Sequence, residues 1–303
     1  MIDAHHHLWD LRGGDYPWLR EDGSFGPPGR YDALKGRDYR LEDYLADIDG
    51  AGVIGSVHIE AMWDPARGQE NETAWLDGIE RDAAIAARYV VGAAFDRPGA
   101  LDALRMQAQN PRTVGVRQCI AWAEDAPWTA SGPHLTATSE WRETLDVLRE
   151  EELLLELMIH PDQAEEVARL AAADPDLAVV VDHKGSPMRT DEAGLDGWRR
   201  GLAVMAAQPN VSIKLSAALS YLPEQTQGHL DAQVDAMITA FGADRVIYGS
   251  DFPVAGLRGR SYTATLDAVR TSARDLAAED QEKVFFRNAM RTYRIDPGIL
   301  PIP

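Results

Sequence analysis

Eight short runs of apolar and β-branched residues, most of them followed by an amphipathic stretch at helical spacing, limit what this chain can become. The runs are "MIDAHHH" (1–7), "VIGSVHIEA" (53–61), "YVVGAAF" (89–95), "TVGVRQC" (113–119), "LLLELMIH" (153–160), "LAVVVDH" (177–183), "NVSIKLS" (210–216) and "RVIYGSD" (245–251). Helical patterns cover 73–88, 139–152, 161–174, 197–209 and 229–242, with Ser139 and Asp162 as starts and Gly242 as a stop. Eight strands alternating with helices over about 250 residues is what a (β/α)8 barrel requires. An open doubly wound sheet is the competitor. No GxGxxG follows the first run, so its dinucleotide-binding form has no support. The expectation is an α/β fold, a TIM barrel formed by residues 1–303 as one domain.

One segment breaks the alternation. "RGGDYPWLREDGSFGPPGRYDALKGRDY" (12–39) makes a long β1–α1 loop, at about 8–40, that must lie over the C-terminal mouth of a barrel. Its aromatics Tyr16, Trp18, Phe25 and Tyr31 favour an ordered loop. A formal charge of -19 repels phosphate backbones and anionic lipid, so neither nucleic acid nor membrane is an expected partner. The single cysteine, Cys119, permits no intramolecular disulfide and lies in a strand, as a packed thiol does. With no apolar run of membrane-spanning length and no basic-then-apolar start, the expected location is cytoplasmic. A homo-oligomer is left open.

In a barrel, groups at the C-terminal strand ends meet at one mouth. Those ends carry His5 and His7, His58 and Glu60, Arg117, His160, His183, Lys214 and Asp251. Ile2, Ala4 and Leu8 around the opening histidines argue against an expression tag. Alternation along a strand points His5 and His7 one way and His6 the other, toward the surrounding helices. Asp3 shares the inward face, deeper down. His5, His7, His160 and Asp251 form a His3Asp set suited to one catalytic divalent ion, zinc or manganese, that would activate water. Asp251 can also act as general base, and His183 can polarise a carbonyl or stabilise an oxyanion. Arg117 and Lys214 either hold substrate or form buried ion pairs with Glu60 or Glu156. Trp9, Trp18, Trp63 and Trp122 either wall the pocket or pack in the core. His58 reads as structural and deeper in the barrel, and His134 and His229 carry no case.

Taken together, "IDAHHHLWD" with "YPWL", then "GVRQ", "VVVDHKGSP", "NVSIKLSA", "RVIYGSDFPV" and "FFRNAMRTYRID" resemble the amidohydrolase superfamily. Within it the chain is similar to the metal-dependent amidohydrolase-2 type and its sugar-lactonase-like subgroup, the L-fuconolactonase and L-rhamnonolactonase kind. The resemblance implies that His5, His7, His183 and Asp251 activate water and a lactone carbonyl, and that Arg117 contacts substrate. It also implies that metal-independent catalysis occurs in some relatives. Lys184, Ser186, Ala217 and Phe252 depart from the subgroup's pattern and alter the expected pocket wall. "IHP" at His160 instead resembles the zinc-binding strand of related decarboxylases. The expected function is therefore hydrolysis of a small-molecule lactone derived from a sugar acid. The alternatives are a metal-dependent decarboxylase of an unsaturated or aromatic acid, and a non-catalytic metal or sugar-acid binding protein.

Overall fold

Every one of the eight runs contains a strand. They are β1 (Ile2–His6), β2 (Gly55–Ile59), β3 (Arg88–Gly92), β4 (Thr113–Cys119), β5 (Leu154–Met158), β6 (Val179–Val181), β7 (Val211–Leu215) and β8 (Val246–Tyr248). These come from a computed structural model that describes residues 1–301 apart from 24, 27–28, 98, 125–127, 134, 190 and 221–224, so His134 lies outside the described residues. The strands are all parallel and pair in sequence order. The seam between β1 and β8 is closed by Asp251 N–H on the His5 carbonyl (2.7 Å) and His7 N–H on the Phe252 carbonyl (2.9 Å). The result is the expected TIM barrel.

Eight helices follow the strands: α1 (Leu41–Ile48), α2 (Glu70–Asp77), α3 (Ala100–Ala108), α4 (Ser139–Glu150), α5 (Ala164–Ala173), α6 (Glu192–Ala206), α7 (Gln227–Phe241) and α8 (Tyr262–Ser272). The helix expected over 73–88 stops at Asp77, because Gly78 caps it and Ala86 takes a left-handed conformation just before β3. None of the described helices is long and apolar enough to cross a membrane.

Two apolar layers result. Ile2, Ala4, Val57, Ile59, Val90, Val114, Leu154, Val180 and Ile247 fill the barrel, and Ala289, Tyr293 and Ile295 of the C-terminal segment join them. A larger outer layer packs the helices against the strands. The side chains at the upper strand ends are consequently held by a packed interior below and by helices around them.

The first strand departs from simple alternation. Asp3 pairs with Ser56, yet His6 pairs with His58, so Ala4 and His5 together oppose Val57. This bulge keeps both Ile2 and Ala4 in the interior and His5 at the mouth, while Asp3 and His6 turn outward. Asp3, expected on the inward face, accepts from Tyr44 of α1 (3.0 Å) and Tyr262 of α8 (3.1 Å). His6 stacks on Tyr44 at 4.0 Å, facing the helices as expected.

Candidate functional site

Three imidazoles converge on one carboxylate oxygen at the mouth. Nε2 of His7, His5 and His183 lie 3.5, 3.7 and 4.0 Å from Asp251 Oδ1. His7 holds the Ile59 carbonyl through Nδ1 (2.9 Å), so its proton is there and Nε2 presents a lone pair toward Asp251. His183 Nδ1 lies 2.9 Å from the Ser216 hydroxyl, which also accepts the His183 backbone N–H (3.2 Å). The hydroxyl can donate to Nδ1 or accept from it, so the contact holds the ring in place without fixing which nitrogen carries the proton. His5 Nε2 is buried and has no hydrogen-bond partner.

The backbone is built around these groups. Gly249 leaves β8 room beside β1, since a Cβ there would sit 2.5 Å from the His5 Cβ. Asp3 ties the seam from outside, accepting the Ser250 N–H (2.8 Å), the Ser250 hydroxyl (2.7 Å) and the His5 N–H (3.2 Å). His183 and Asp251 themselves have φ of 52° and 65°. Left-handed backbone at non-glycine residues costs about 1–3 kcal/mol each and gathers where function demands it.

Charge follows from burial and neighbours. Burial alone would raise the Asp251 pKa, but the His183 and His7 imidazoles and Arg30 outweigh it and hold the group below the usual carboxylate range. Burial lowers His183 to about 4 and takes His5 well below its ordinary value. His5 and His183 are therefore neutral beside an ionised Asp251 at neutral pH.

Beside it lies a cavity of about 40 Å³, room for only a few waters. His7, His183, Asp251, Glu60 and Arg117 form its polar wall, and Met62, Met158 and Val254 part of its apolar one. The long β1–α1 loop closes it with Trp18, Phe25, Arg30 and Tyr31. Trp18 is anchored by its indole N–H on the Ala61 carbonyl (2.8 Å), and Tyr31 packs on both Trp18 and Phe25.

Several expected site residues are placed elsewhere. His160 is not a member of the cluster. Its Nε2 donates to the Trp128 carbonyl (2.9 Å), its ring packs on Trp128, and its backbone N–H is held by Gln163 (3.0 Å). Lys214 does not reach the cavity: it is fully buried below the mouth, ion-paired with Glu156. Arg117 forms the foreseen buried ion pair with Glu60 (3.0 Å), adds one with Asp182 (2.9 Å), and lines the cavity. Trp9 and Trp122 are not cavity walls. Trp9 is buried behind Trp18, donating to the Arg37 carbonyl (2.8 Å), and Trp122 lines a separate groove near α4 and α5. His58 faces outward, its Nε2 accepting the Leu8 N–H (3.1 Å). None of Lys184, Ser186, Ala217 and Phe252 lines the cavity, and the Lys184 ammonium is spent on the Ser216 and Ala217 carbonyls. Cys119 is packed, with burial pushing its thiol up to about 12.

Asp182 and Ser216 were missed, whereas Glu156 was named as an ion-pair partner and is one, for Lys214. Each missed residue sits at or near a strand end beside a residue already singled out, and that adjacency was the available signal. Arg30, Phe25 and Tyr31 carried only the weaker signal of lying in a long aromatic loop.

Comparison with known proteins places these features in a family setting. A family model described as Amidohydrolase matches residues 2–295. An uncharacterized protein y4mH of Sinorhizobium fredii is 31% identical, over 97% of this chain and 98% of its own. An L-fucono-1,5-lactonase of Burkholderia ambifaria is 29% identical, over 97% of this chain and 96% of its own. Among solved structures, an amidohydrolase from Burkholderia multivorans with bound zinc superposes with a TM-score of 0.80 at 23% identity, covering 97% of this chain and 99% of that one.

Proposed function

Because this chain belongs to the amidohydrolase family and is a hydrolase, we propose that it opens the ring of a lactone, of the sugar-acid kind. The observation that carries this reading is Asp251 Oδ1, ringed by three imidazole Nε2 atoms at the edge of a loop-covered cavity. Full-length similarity to two L-fucono-1,5-lactonases supports the choice of substrate class.

The chemistry proceeds from the groups present. Asp251 is ionised and takes a proton from water as the water oxygen bonds to the ring carbonyl carbon. Negative charge gathers on the former carbonyl oxygen, and the His183 imidazole at the cavity wall is placed to stabilise it. When the ring C–O bond breaks, the leaving alkoxide takes the proton from Asp251, and a hydroxy acid results. His5, His183 and Asp251 offer ligand atoms within 4.8 Å of one another and would hold a divalent ion, His5 Nε2 being buried there with no hydrogen-bond partner and His7 Nε2 lying 3.5 Å from the same carboxylate oxygen. Zinc or manganese held there supplies Lewis-acid polarisation and a lowered pKa for water. Since the cavity has room for only a few waters, a lactone enters when the loop bearing Phe25, Arg30 and Tyr31 shifts.

The test is proton release from a panel of sugar 1,4- and 1,5-lactones, followed with a pH indicator before and after chelation. Turnover by the native protein, lost on chelation, is the expected result. Inertness toward every lactone, under all metal conditions, would overturn the reading. The decarboxylase alternative drew its support from His160, which is engaged on Trp128 instead.

A further inference from the structure

The cavity wall carries a second carboxylate, which the proposed reaction does not use. Glu60 follows β2, is 5% exposed and lines the cavity. Its surroundings hold it in place. Arg117 Nη1 donates to its Oε1 (3.0 Å), and the Met62 N–H donates to its Oε2 (2.6 Å). Met62 makes that bond with a left-handed φ of 63°, a kind of strain that collects where a site needs it. After β3 turns past, Gly92 leaves room, since a Cβ there would come within 3.1 Å of Oε2. His7 Nδ1 binds the carbonyl of Ile59, the residue just before Glu60, at 2.9 Å. The reacting centre and this carboxylate are therefore joined through one peptide unit.

We infer that Glu60, paired with Arg117, reads a ring hydroxyl of the substrate and makes the enzyme selective for polyhydroxylated lactones. The inference rests on the lactonase reading of the same site and deepens it by naming a specificity-determining residue. Each carboxylate oxygen can accept more than one hydrogen bond, so the bonds from Arg117 and Met62 leave acceptor capacity at the wall. Arg117 Nε is taken by Asp182 (2.9 Å), and its Nη2 has the Met158 sulfur at 3.7 Å, a weak acceptor. A fixed acceptor and a donor thus stand side by side, and a hydroxyl both donates and accepts. A carboxylate substituent suits the pair less well. The guanidinium already balances Glu60 and Asp182, and the Glu60 charge repels a further anion. A lactone without ring hydroxyls fits worse still, because it displaces the few waters of the cavity and leaves the carboxylate short of partners.

The experiment compares kcat/KM for the sugar 1,5-lactone turned over fastest with that for δ-valerolactone, the same ring without hydroxyls, in the native chain and in Glu60→Gln. The amide keeps the shape of the side chain but removes the charge and replaces one acceptor oxygen with a donor. The native chain is expected to favour the sugar lactone, and Glu60→Gln to narrow that preference by about 10–100-fold, the worth of one hydrogen bond to a charged group. Loss of folded protein lowers both rates alike and leaves their ratio where it was. A narrowing of less than about tenfold, or a native chain with no preference, overturns the inference while the lactonase reading stands. Should the native chain open no lactone, that reading fails, and calorimetric binding of 1,5-anhydro-D-glucitol, a hydroxylated ring with no ester to open, decides the inference. Binding weakened by about tenfold or more in Glu60→Gln sustains it. A smaller loss, or no binding by the native chain, overturns it.

Discussion

At the mouth, His5 Nε2 lies 3.7 Å from Asp251 Oδ1. In a buried pit below, Nδ1 of the same ring faces Asp182, Glu156 and the Lys214 ammonium. Both regions are buried, both combine imidazole with carboxylate, and they are separated by the width of one ring. In the pit the protein provides its own cation, and Tyr293 donates to Glu156 (3.0 Å) to complete the set. At the mouth the imidazoles and the carboxylate border a cavity whose wall also carries Arg30 and Arg117, and His5 Nε2 has no hydrogen-bond partner there. Ligand chemistry therefore does not by itself identify a reaction centre. The telling feature is a buried polar set left incomplete next to a space that another molecule can enter.

The sharpest way to break this contrast is Asp251→Asn. If the mouth is the reacting end, lactone turnover falls by about 10²–10⁴-fold and zinc content drops with it, while the fold persists. Undiminished turnover in that variant would dissolve the distinction between the two regions. Lys214→Met tests the other side. Removing the ammonium leaves Glu156 buried without its counter-ion, while Asp182 keeps Arg117, and loss of one partner of a buried pair costs about 3–5 kcal/mol. Urea unfolding should register that loss. A change under 1 kcal/mol would mean that the pit does not depend on its internal cation.

Acidity separates the carboxyls as well. Burial, then the neighbouring Asp182 carboxylate, push Glu156 up to about 8, whereas Asp182 and Asp251 are both lowered. A carboxyl whose native pKa is raised favours the folded state at low pH. That contribution is intact below the unfolded pKa near 4.5 and is lost as pH climbs through about 8. Unfolding free energy measured between pH 5 and 9 should therefore decline across this window in the native chain. Glu156→Gln should flatten the decline, and an equal slope in both proteins would remove Glu156 as its source.

Much of the mouth was legible because its chemistry lies at strand ends, and the alternation of strands and helices located those ends. His5 and His7 at i and i+2, His183 after β6 and Asp251 after β8 needed no more than that. Depth was not legible. Arg117 and Lys214 both project from strands, but the stagger of a closed barrel sets which reaches the rim, and stagger leaves no mark in one sequence. The bulge that turns Asp3 outward is likewise a property of the β1–β2 pairing. Of the cavity's aromatic wall, Trp18 was among the candidates, whereas Phe25 and Tyr31 were read only as aromatics of an ordered loop, because that loop has no periodicity.

His160 gives the finest test. Its position after β5 is right for a ligand, and the proline that follows fixes the turn into the next helix. Position is nonetheless overruled by the segment carrying Trp128, whose carbonyl takes the Nε2 proton. Gln offers an amide N–H in place of that imidazole N–H, so His160→Gln should keep a donor for the carbonyl. The expected cost is about 0.5–1.5 kcal/mol in urea unfolding, the net value of one neutral hydrogen bond. Zinc content and lactone turnover should stay within about twofold, since neither the mouth nor the pit uses this ring. A liganding histidine would behave oppositely, with stability little changed and ion content collapsing. That outcome would return His160 to the centre and add a third region to the comparison.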